Sequence, residues 1–444
     1  MAAEAGHGSL DAWAERREAA SAVRMAASVS ATGLTKRRDG FGQTVVPARG
    51  SVLASPVLAD YDPDPDYFFH WLRDSALVVT AATILAARGD RAADWPRHIA
   101  DFVGFSRRLG GLSGRAVVAD DGFRRSVGAD LVRFVRPEAE LAAVEGDALG
   151  GEVRFNPDGT LDIVRWGRPQ NDGPALRALA LMDAAEAGFG GSDAEALIAD
   201  DLEWTAAHAA RPCIDLWEDV RGRHYHTLLV QFWALRRGAS RIAAADPATA
   251  RRWRAAATTI PALLDACWSA EVGAYLSRVP EGGEAPARTD IAVVLGVLHA
   301  GVDGGRHSVL DDRVAATLDR LAADFAAAYP VNASLPPGHA PALGRFAGDR
   351  YYGGGPFVFA TLAGAELCYR RSRSARTAAD AHQAFAAGNA WLATIRRLAP
   401  EDGWLPEQFD RETGAPASAK DLAWSHAATI TALAARRRAQ ERLR

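Results

Sequence analysis

Helical periodicity is the feature that most constrains this chain. Apolar residues, alanine foremost, recur at three- and four-residue spacing in a dozen segments: 10–30, 74–87, 95–109, 173–186, 194–209, 219–237, 246–267, 290–300, 310–329, 356–371, 375–398 and 419–437. Gly173-Pro174 places a proline in the first turn of one helix, and Asp246-Pro247 reads as an N-cap followed by proline at N1. Strand signals are short and few, at 43–46, 52–55, 131–135 and 274–277, and they never alternate with helices as a βαβ series. The Gly353-Gly354-Gly355 run precedes a helix instead of following a strand, which is the wrong context for a phosphate-binding loop.

The length of 444 residues suggests two or three domains by size alone, but no Pro/Ser/Gly linker divides it. A dozen helices in antiparallel pairs therefore predict an all-α fold in one domain spanning 1–444: an (α/α)6 barrel of six inner and six outer helices, with long loops at the site. The expectation is that inner helices carry site residues at their ends and on the loops that follow. The one long, weakly periodic stretch, 110–170, reads as a functional excursion.

Hydrophobic residues at 48 % and charged residues at 24 % exclude global disorder. With 51 basic against 55 acidic side chains, the chain lacks the positive balance of a dedicated nucleic-acid binder. No run of 18 apolar residues predicts a membrane span, and the N-terminus lacks a secretory apolar core. Cys213, Cys267 and Cys368 are odd in number and far apart, which suits a reducing cytosol, so a cytoplasmic location is expected.

Five segments break the Ala/Leu background: 66–74, 166–173, 215–219, 344–352 and 406–410. Each sets a large aromatic beside carboxylate or arginine at a loop–helix junction. Aromatic faces cover the C–H surfaces of a pyranose while Asp, Arg and Gln bond its hydroxyls, so the mixture suits a sugar. Glycosidic cleavage needs two carboxyl groups in different protonation states. Glu218 suits the acid, because Trp217 can desolvate it and the charges of Asp215 and Asp219 oppose its ionisation. Glu407 suits the ionised base, since Leu405-Pro406 can hold it rigidly and Gln408 can orient a water.

Taken singly, each signal has a plainer reading. Asp215 and Asp219 read equally as a solvated helix start. Arg73-Asp74 reads as a surface ion pair, Trp166 and Trp217 as core, and Glu407 as an ordinary loop carboxylate. His224 and His226, two apart, share no helix face, which argues against a metal site. No EF-hand-like loop is present, and neither a cofactor nor a metal is expected.

Read in order, the strings PDYFFHWLRDSALV, WGRPQNDGPALRA, DLWEDV and PEQFD followed by SAKDLAWSHAA resemble the glucoamylases of glycoside hydrolase family 15, over nearly the whole chain. The resemblance implies an (α/α)6 barrel and an inverting exo-hydrolase that releases β-D-glucose from non-reducing ends. It implies Glu218 as general acid and Glu407 as general base, with Tyr67 and Gln408 holding the water. Arg73, Asp74 and Arg345 would grip the terminal glucose, with Leu216 and Trp217 in the same subsite, and Trp71 and Asp215 would also bind substrate. Trp166 would close over the site and Arg168 would stand in its polar wall. Asp219 and Tyr351 would lie toward the leaving-group sugar. Such an inverting pair stands about 6.5–9.5 Å apart.

The chain departs from the family pattern at four places. Asp219 stands where a second glutamate is usual, Asn171 where an arginine is usual, His70 where a small or hydroxyl residue is usual, and Phe357 where a tryptophan is common. Most of these are expected to face the leaving-group side. An α-1,4 linkage leads, with α-1,6 and trehalose as competitors. Neither a starch-binding module nor an N-terminal β-sandwich is recognisable, so soluble oligosaccharides are the expected partner; nucleic acid and membrane are not, and the oligomeric state is left open.

Overall fold

The computed structural model describes residues 9–60, 63–120, 122–280 and 286–444; residues 1–8 of the expected domain lie outside these. Among the described residues, twelve helices of nine residues or more build the molecule. They are α1 (Leu10–Ser28), α2 (Leu72–Ala87), α3 (Trp95–Leu109), α4 (Gly173–Glu186), α5 (Ser192–His208), α6 (Tyr225–Ile242), α7 (Pro247–Ala256), α8 (Ala292–Ala300), α9 (Asp312–Ala328), α10 (Val358–Ser374), α11 (Ala378–Leu398) and α12 (Ala423–Leu443).

The even-numbered helices form a closed ring: α2 packs on α4, α4 on α6, α6 on α8, α8 on α10, α10 on α12, and α12 returns to α2. Each odd-numbered helix lies outside one of them: α1 on α12, α3 on α2, α5 on α4, α7 on α6, α9 on α8 and α11 on α10. This is the expected (α/α)6 barrel. Burial separates the layers. Eight of the nine residues of inner α8 are buried, against five of the seventeen of outer α9. A helix covered on all sides reads as apolar all round, and alanine lets six such helices approach closely.

Local chemistry fixes the ends. The Asp246 side chain accepts the Thr249 N–H at 3.0 Å with Pro247 in the first turn, as the sequence predicts. The expected helix 246–267 is two: it stops at Ala256 and restarts as Ile260–Ala266, with Pro261 in the new first turn. The expected helix 219–237 begins only at Tyr225, because residues 213–222 form a small hairpin, Cys213–Ile214 paired with Arg221–Gly222.

Of the expected strands, Gln43–Val45 pairs with Lys36–Arg38 and Ala274–Tyr275 with Trp268–Ser269. Val52 makes a single bridge to Val29. The stretch 131–135 is instead a 3-10 turn, Val132–Phe134, whose end bridges Val135 to Val164. The excursion 110–170 is not one open loop. It folds into short helices and the two-residue strand Arg154–Phe155, over a second small core that includes Leu72, Phe105, Leu141, Phe155 and Ile163.

Every inner helix points its N-terminal end at one mouth of the barrel. The chain reaches these ends through 66–71, 166–172, 213–224, 286–291, 344–357 and 405–422. Site residues therefore sit at helix starts and on the preceding loops, not on the following ones. The physical consequence is electrostatic, since six helix N-termini converge where anionic side chains are favoured.

Candidate active site

That mouth holds a cavity of about 620 Å³, within the size range of small-ligand sites. Its lining includes Tyr67, Trp71, Arg73, Asp74, Trp166, Leu216, Trp217, Glu218, Asp219, Arg345, Tyr351 and Glu407. Twelve of the fifteen residues expected at the site thus converge on one chamber, although the two glutamates are far apart in sequence. Its floor is an aromatic stack. Phe359 and Trp424 lie parallel, 4.0 Å apart with an interplanar angle of 4°, and Trp217 lies nearly parallel beyond them. The same two rings roof a second, smaller cavity of about 90 Å³ inside the barrel.

Glu218 is presented by the 213–222 hairpin. Asp215 at the hairpin's neck accepts the backbone N–H of Asp219 at 2.8 Å and of Val220 at 3.2 Å, while its carbonyl accepts the Glu218 N–H at 3.0 Å. This turn holds Glu218 at φ 70°, a left-handed backbone that costs a non-glycine residue roughly 1–2 kcal/mol. Gly167 lies against the same turn, where a Cβ would come within 2.8 Å of the Glu218 carbonyl oxygen. At the carboxylate, the Trp71 indole donates to Oε1 at 2.9 Å and the Trp166 indole to Oε2. Gln170 Nε2 donates to Oε1 at 3.3 Å, and the Arg73 guanidinium stands 3.8 Å away.

Glu407 lies on the chain just before the strand Gln408–Phe409, buried at 7 % exposure. Ser418 Oγ donates to its Oε2, and the Tyr67 hydroxyl donates to Oε1 at 3.3 Å; Tyr67 is joined to the Tyr351 hydroxyl at 2.6 Å. Burial pushes the Glu407 carboxyl up to about 7, against the opposing pull of Ser418, Arg345 and Tyr67. The sequence reading asks for an ionised base at Glu407, and the burial of the cavity wall opposes that ionisation. The desolvation expected of Trp217 is also elsewhere, for that indole turns away from Glu218 and donates to both carboxylate oxygens of Asp290 at 3.0 Å.

The residues expected to grip the sugar are held by ion pairs. Arg345 forms a two-pronged bond to Asp349, 2.6 Å at each oxygen, with its guanidinium within 5.0–5.5 Å of the centroids of Trp217, Tyr351 and Phe357. Arg73 donates to Gln170 and Asp172, each at 2.9 Å. Asp74 beside it is pushed up to about 6 by burial, and the negative charges of Glu218 and Asp172 add to the effect while Arg73 opposes it.

Three expected residues do not line the cavity. Asp215 is buried and spends its carboxylate on the hairpin turn. Arg168 is bound to Glu152 at 2.7 Å and Asp162 at 2.9 Å, behind the wall. Gln408 is fully buried, and both its amide atoms are without a protein partner. Two of the four departures also lie off the cavity. His70 accepts the Val52 N–H at 3.0 Å and packs on Phe102 and Phe105, while Asn171 is buried. Asp219 and Phe357 do face the cavity.

Asp349, Phe359, Trp424, Asp290 and Ser418 were not singled out from the sequence. Asp349, Ser418 and Trp424 stand inside strings that were, and the Arg345/Asp349 spacing of four was a readable signal. The glycine run is explained by packing, since Gly355 touches the Phe409 carbonyl so closely that a Cβ would stand 1.9 Å from it. Among the described residues, no cluster of three or more His, Cys, Asp or Glu is placed to hold a metal ion.

Residues 133–434, more than half of the chain, match the family described as glycosyl hydrolases family 15. The chain belongs to that family. Glucoamylase 1 of Rhizopus oryzae is 27 % identical over 96 % of this chain and 71 % of its own length. A probable glucoamylase of Schizosaccharomyces pombe is 27 % identical, covering 96 % and 91 %. The solved glucoamylase of Hormoconis resinae superposes with a TM-score of 0.76 at 25 % identity, over 96 % of this chain and 74 % of that one. As a family 15 member of glucoamylase type, the protein is a glycoside hydrolase, and two glutamates, Glu218 and Glu407, line its cavity.

Proposed function

We propose that this family 15 hydrolase is an inverting, exo-acting glucohydrolase that releases β-D-glucose from the non-reducing ends of α-1,4-linked gluco-oligosaccharides. The observation that carries it is the placing of Glu218 and Glu407 on one chamber closed below by stacked rings. A floored chamber accepts a chain end and excludes a continuous chain.

Glu218 gives its proton to the glycosidic oxygen as the C1–O bond breaks. A water attacks C1 from the opposite face, and Glu407 takes its proton. Tyr67, joined to Glu407 Oε1, holds that water. Each group is expected to contribute on the order of 10²–10⁴-fold. Arg345 and Arg73, fixed by Asp349 and Asp172, bond the ring hydroxyls with Asp74, while Trp217 covers the apolar sugar face. Asp219 and Tyr351 sit toward the leaving-group sugar.

The test is turnover of maltose, isomaltose and trehalose side by side, with proton NMR of the fresh product. Preference for maltose and β-glucose appearing first support the reading. Trehalose-only turnover, isomaltose preference or α-glucose first would each overturn part of it.

A further inference from the structure

Behind the tryptophans that bond Glu218 lies a charge that the catalytic reading does not use. Arg154 is fully buried on the strand Arg154–Phe155, whose register pairs it directly with Trp71. Its guanidinium carbon stands 3.6 Å from the centroid of Trp166, 4.1 Å from that of Phe69 and 5.0 Å from that of Trp71. Nε donates to Asp162 at 2.8 Å, while the two terminal nitrogens find no protein acceptor. The Trp71 and Trp166 rings meet edge to face, 6.3 Å apart.

An ion pair alone explains this poorly. Asp162 is already bridged by Arg168 at 2.9 Å and accepts the Val164 N–H at 2.9 Å. Burying a guanidinium with two nitrogens unpaired is costly, and an apolar side chain would fill the space more cheaply. What the cation does have is ring faces. A cation over an indole is attracted to its electron-rich face and fixes its tilt. It also draws density from the ring, which strengthens the indole N–H as a donor. Both of those N–H groups end on Glu218.

We propose that Arg154 is a positioning residue of the hydrolysis: by holding Trp71 and Trp166 from behind, it aims Glu218 at the glycosidic oxygen. The proposal rests on Glu218 being the general acid. It makes a prediction that a merely structural role does not. Loss of Arg154 harms reactions in proportion to how much the leaving group needs a proton.

The experiment compares maltose with α-D-glucosyl fluoride. With maltose, the C1–O bond breaks as Glu218 protonates the departing sugar. With the fluoride, the C1–F bond breaks and fluoride leaves without full protonation, while water still attacks and Glu407 still takes its proton. The proteins are the wild type, Glu218→Gln, Arg154→Met and Arg154→Lys, each checked for folding by its melting curve. Glu218→Gln is expected to lose on the order of 10²–10⁴-fold on maltose and far less on the fluoride. Arg154→Met is expected to lose up to about 10²-fold on maltose, the scale of a small misplacement, and little on the fluoride. Arg154→Lys, which keeps the charge, is expected to recover part of the loss.

Equal losses on both substrates in Arg154→Met, or no loss on maltose, would overturn the proposal. Equal losses in Glu218→Gln would instead overturn the acid assignment, so the two failures are distinguishable. Should Arg154→Met not fold, Arg154→Lys is measured with and without Trp166→Phe. The Arg154→Lys effect on maltose must shrink once the Trp166 indole is gone, and full additivity would refute the coupling.

Discussion

The hydroxyl of Ser418 donates to Oε2 of Glu407 from a backbone held at φ 63°. It is one of two protein hydroxyls that stabilise the ionised form of a carboxylate which burial pushes up to about 7. Removing a hydrogen bond to a charged acceptor costs about 1.5–3 kcal/mol. Ser418→Ala is therefore expected to make Glu407 harder to ionise, and the acidic limb of the kcat/KM profile should move upward by about one pH unit or more. A limb that stays in place would show that Glu407 does not set it.

The same burial makes a stability prediction. Glu407 holds its proton more tightly folded, at about 7, than at the ordinary 4.5. Its favourable contribution is therefore full below about pH 4.5 and is lost as pH rises through 7, by about 3 kcal/mol in all. Glu407→Gln has no charge to bury. The variant should lose most activity yet melt higher than the wild type at pH 9, with the gap closing at pH 4. Asp290 is also raised, to about 7, but it is common to both proteins, while Asp74, raised to about 6, adds its charge to the rise at Glu407 and is part of the same effect. A gap independent of pH would contradict this account.

Much of this was legible in the sequence because two signals are local. The 3.6-residue period survives in helices buried on one or both sides, so the barrel could be counted before it was seen. The motif strings carry aromatic–carboxylate pairs that few other sites need, so twelve residues that line the cavity could be singled out. What failed depended on partners distant in sequence. Asp215 and Asp219 share helix spacing, but a cross-strand pairing of Ile214 with Arg221 converts the segment into a hairpin. Glu407 was read as a base held rigidly on a loop, and only the fold reveals how deeply it is buried. Arg168 looked like a sugar ligand until Glu152 and Asp162, sixteen and six residues away, took its donors. Arg154 gave no signal, because the rings around it come from two distant segments, 66–74 and 166–173.

Arg345 and Asp349 make a further prediction. The two bonds at 2.6 Å orient the guanidinium toward the cavity. Arg345→Lys keeps the charge but loses the planar fork, and Asp349→Asn removes the charge it pairs with. Each should raise KM for maltose and lower kcat/KM by roughly 10–100-fold, a loss of about 1.4–2.7 kcal/mol of transition-state binding. An unchanged KM in both variants would place Arg345 outside the substrate contacts.

Asp215 offers the sharpest separation of holding from binding. It does not line the cavity, yet its Oδ1 accepts two backbone N–H groups that keep Glu218 at φ 70°. The left-handed backbone relaxes by roughly 1–2 kcal/mol if the turn lets go. Asp215→Asn keeps a carbonyl acceptor at that position and should retain most activity. Asp215→Ala keeps none, so Glu218 should drift and kcat on maltose should fall by about 10²-fold, the scale of a small misplacement at the reacting atoms. Binding of glucose, read by tryptophan fluorescence, should change little in either variant, because the gripping residues are anchored through Asp172 and Asp349. If Asp215→Asn proves as damaging as Asp215→Ala, the carboxylate's charge matters more than the turn it holds, and Asp215 belongs among the substrate-binding residues after all.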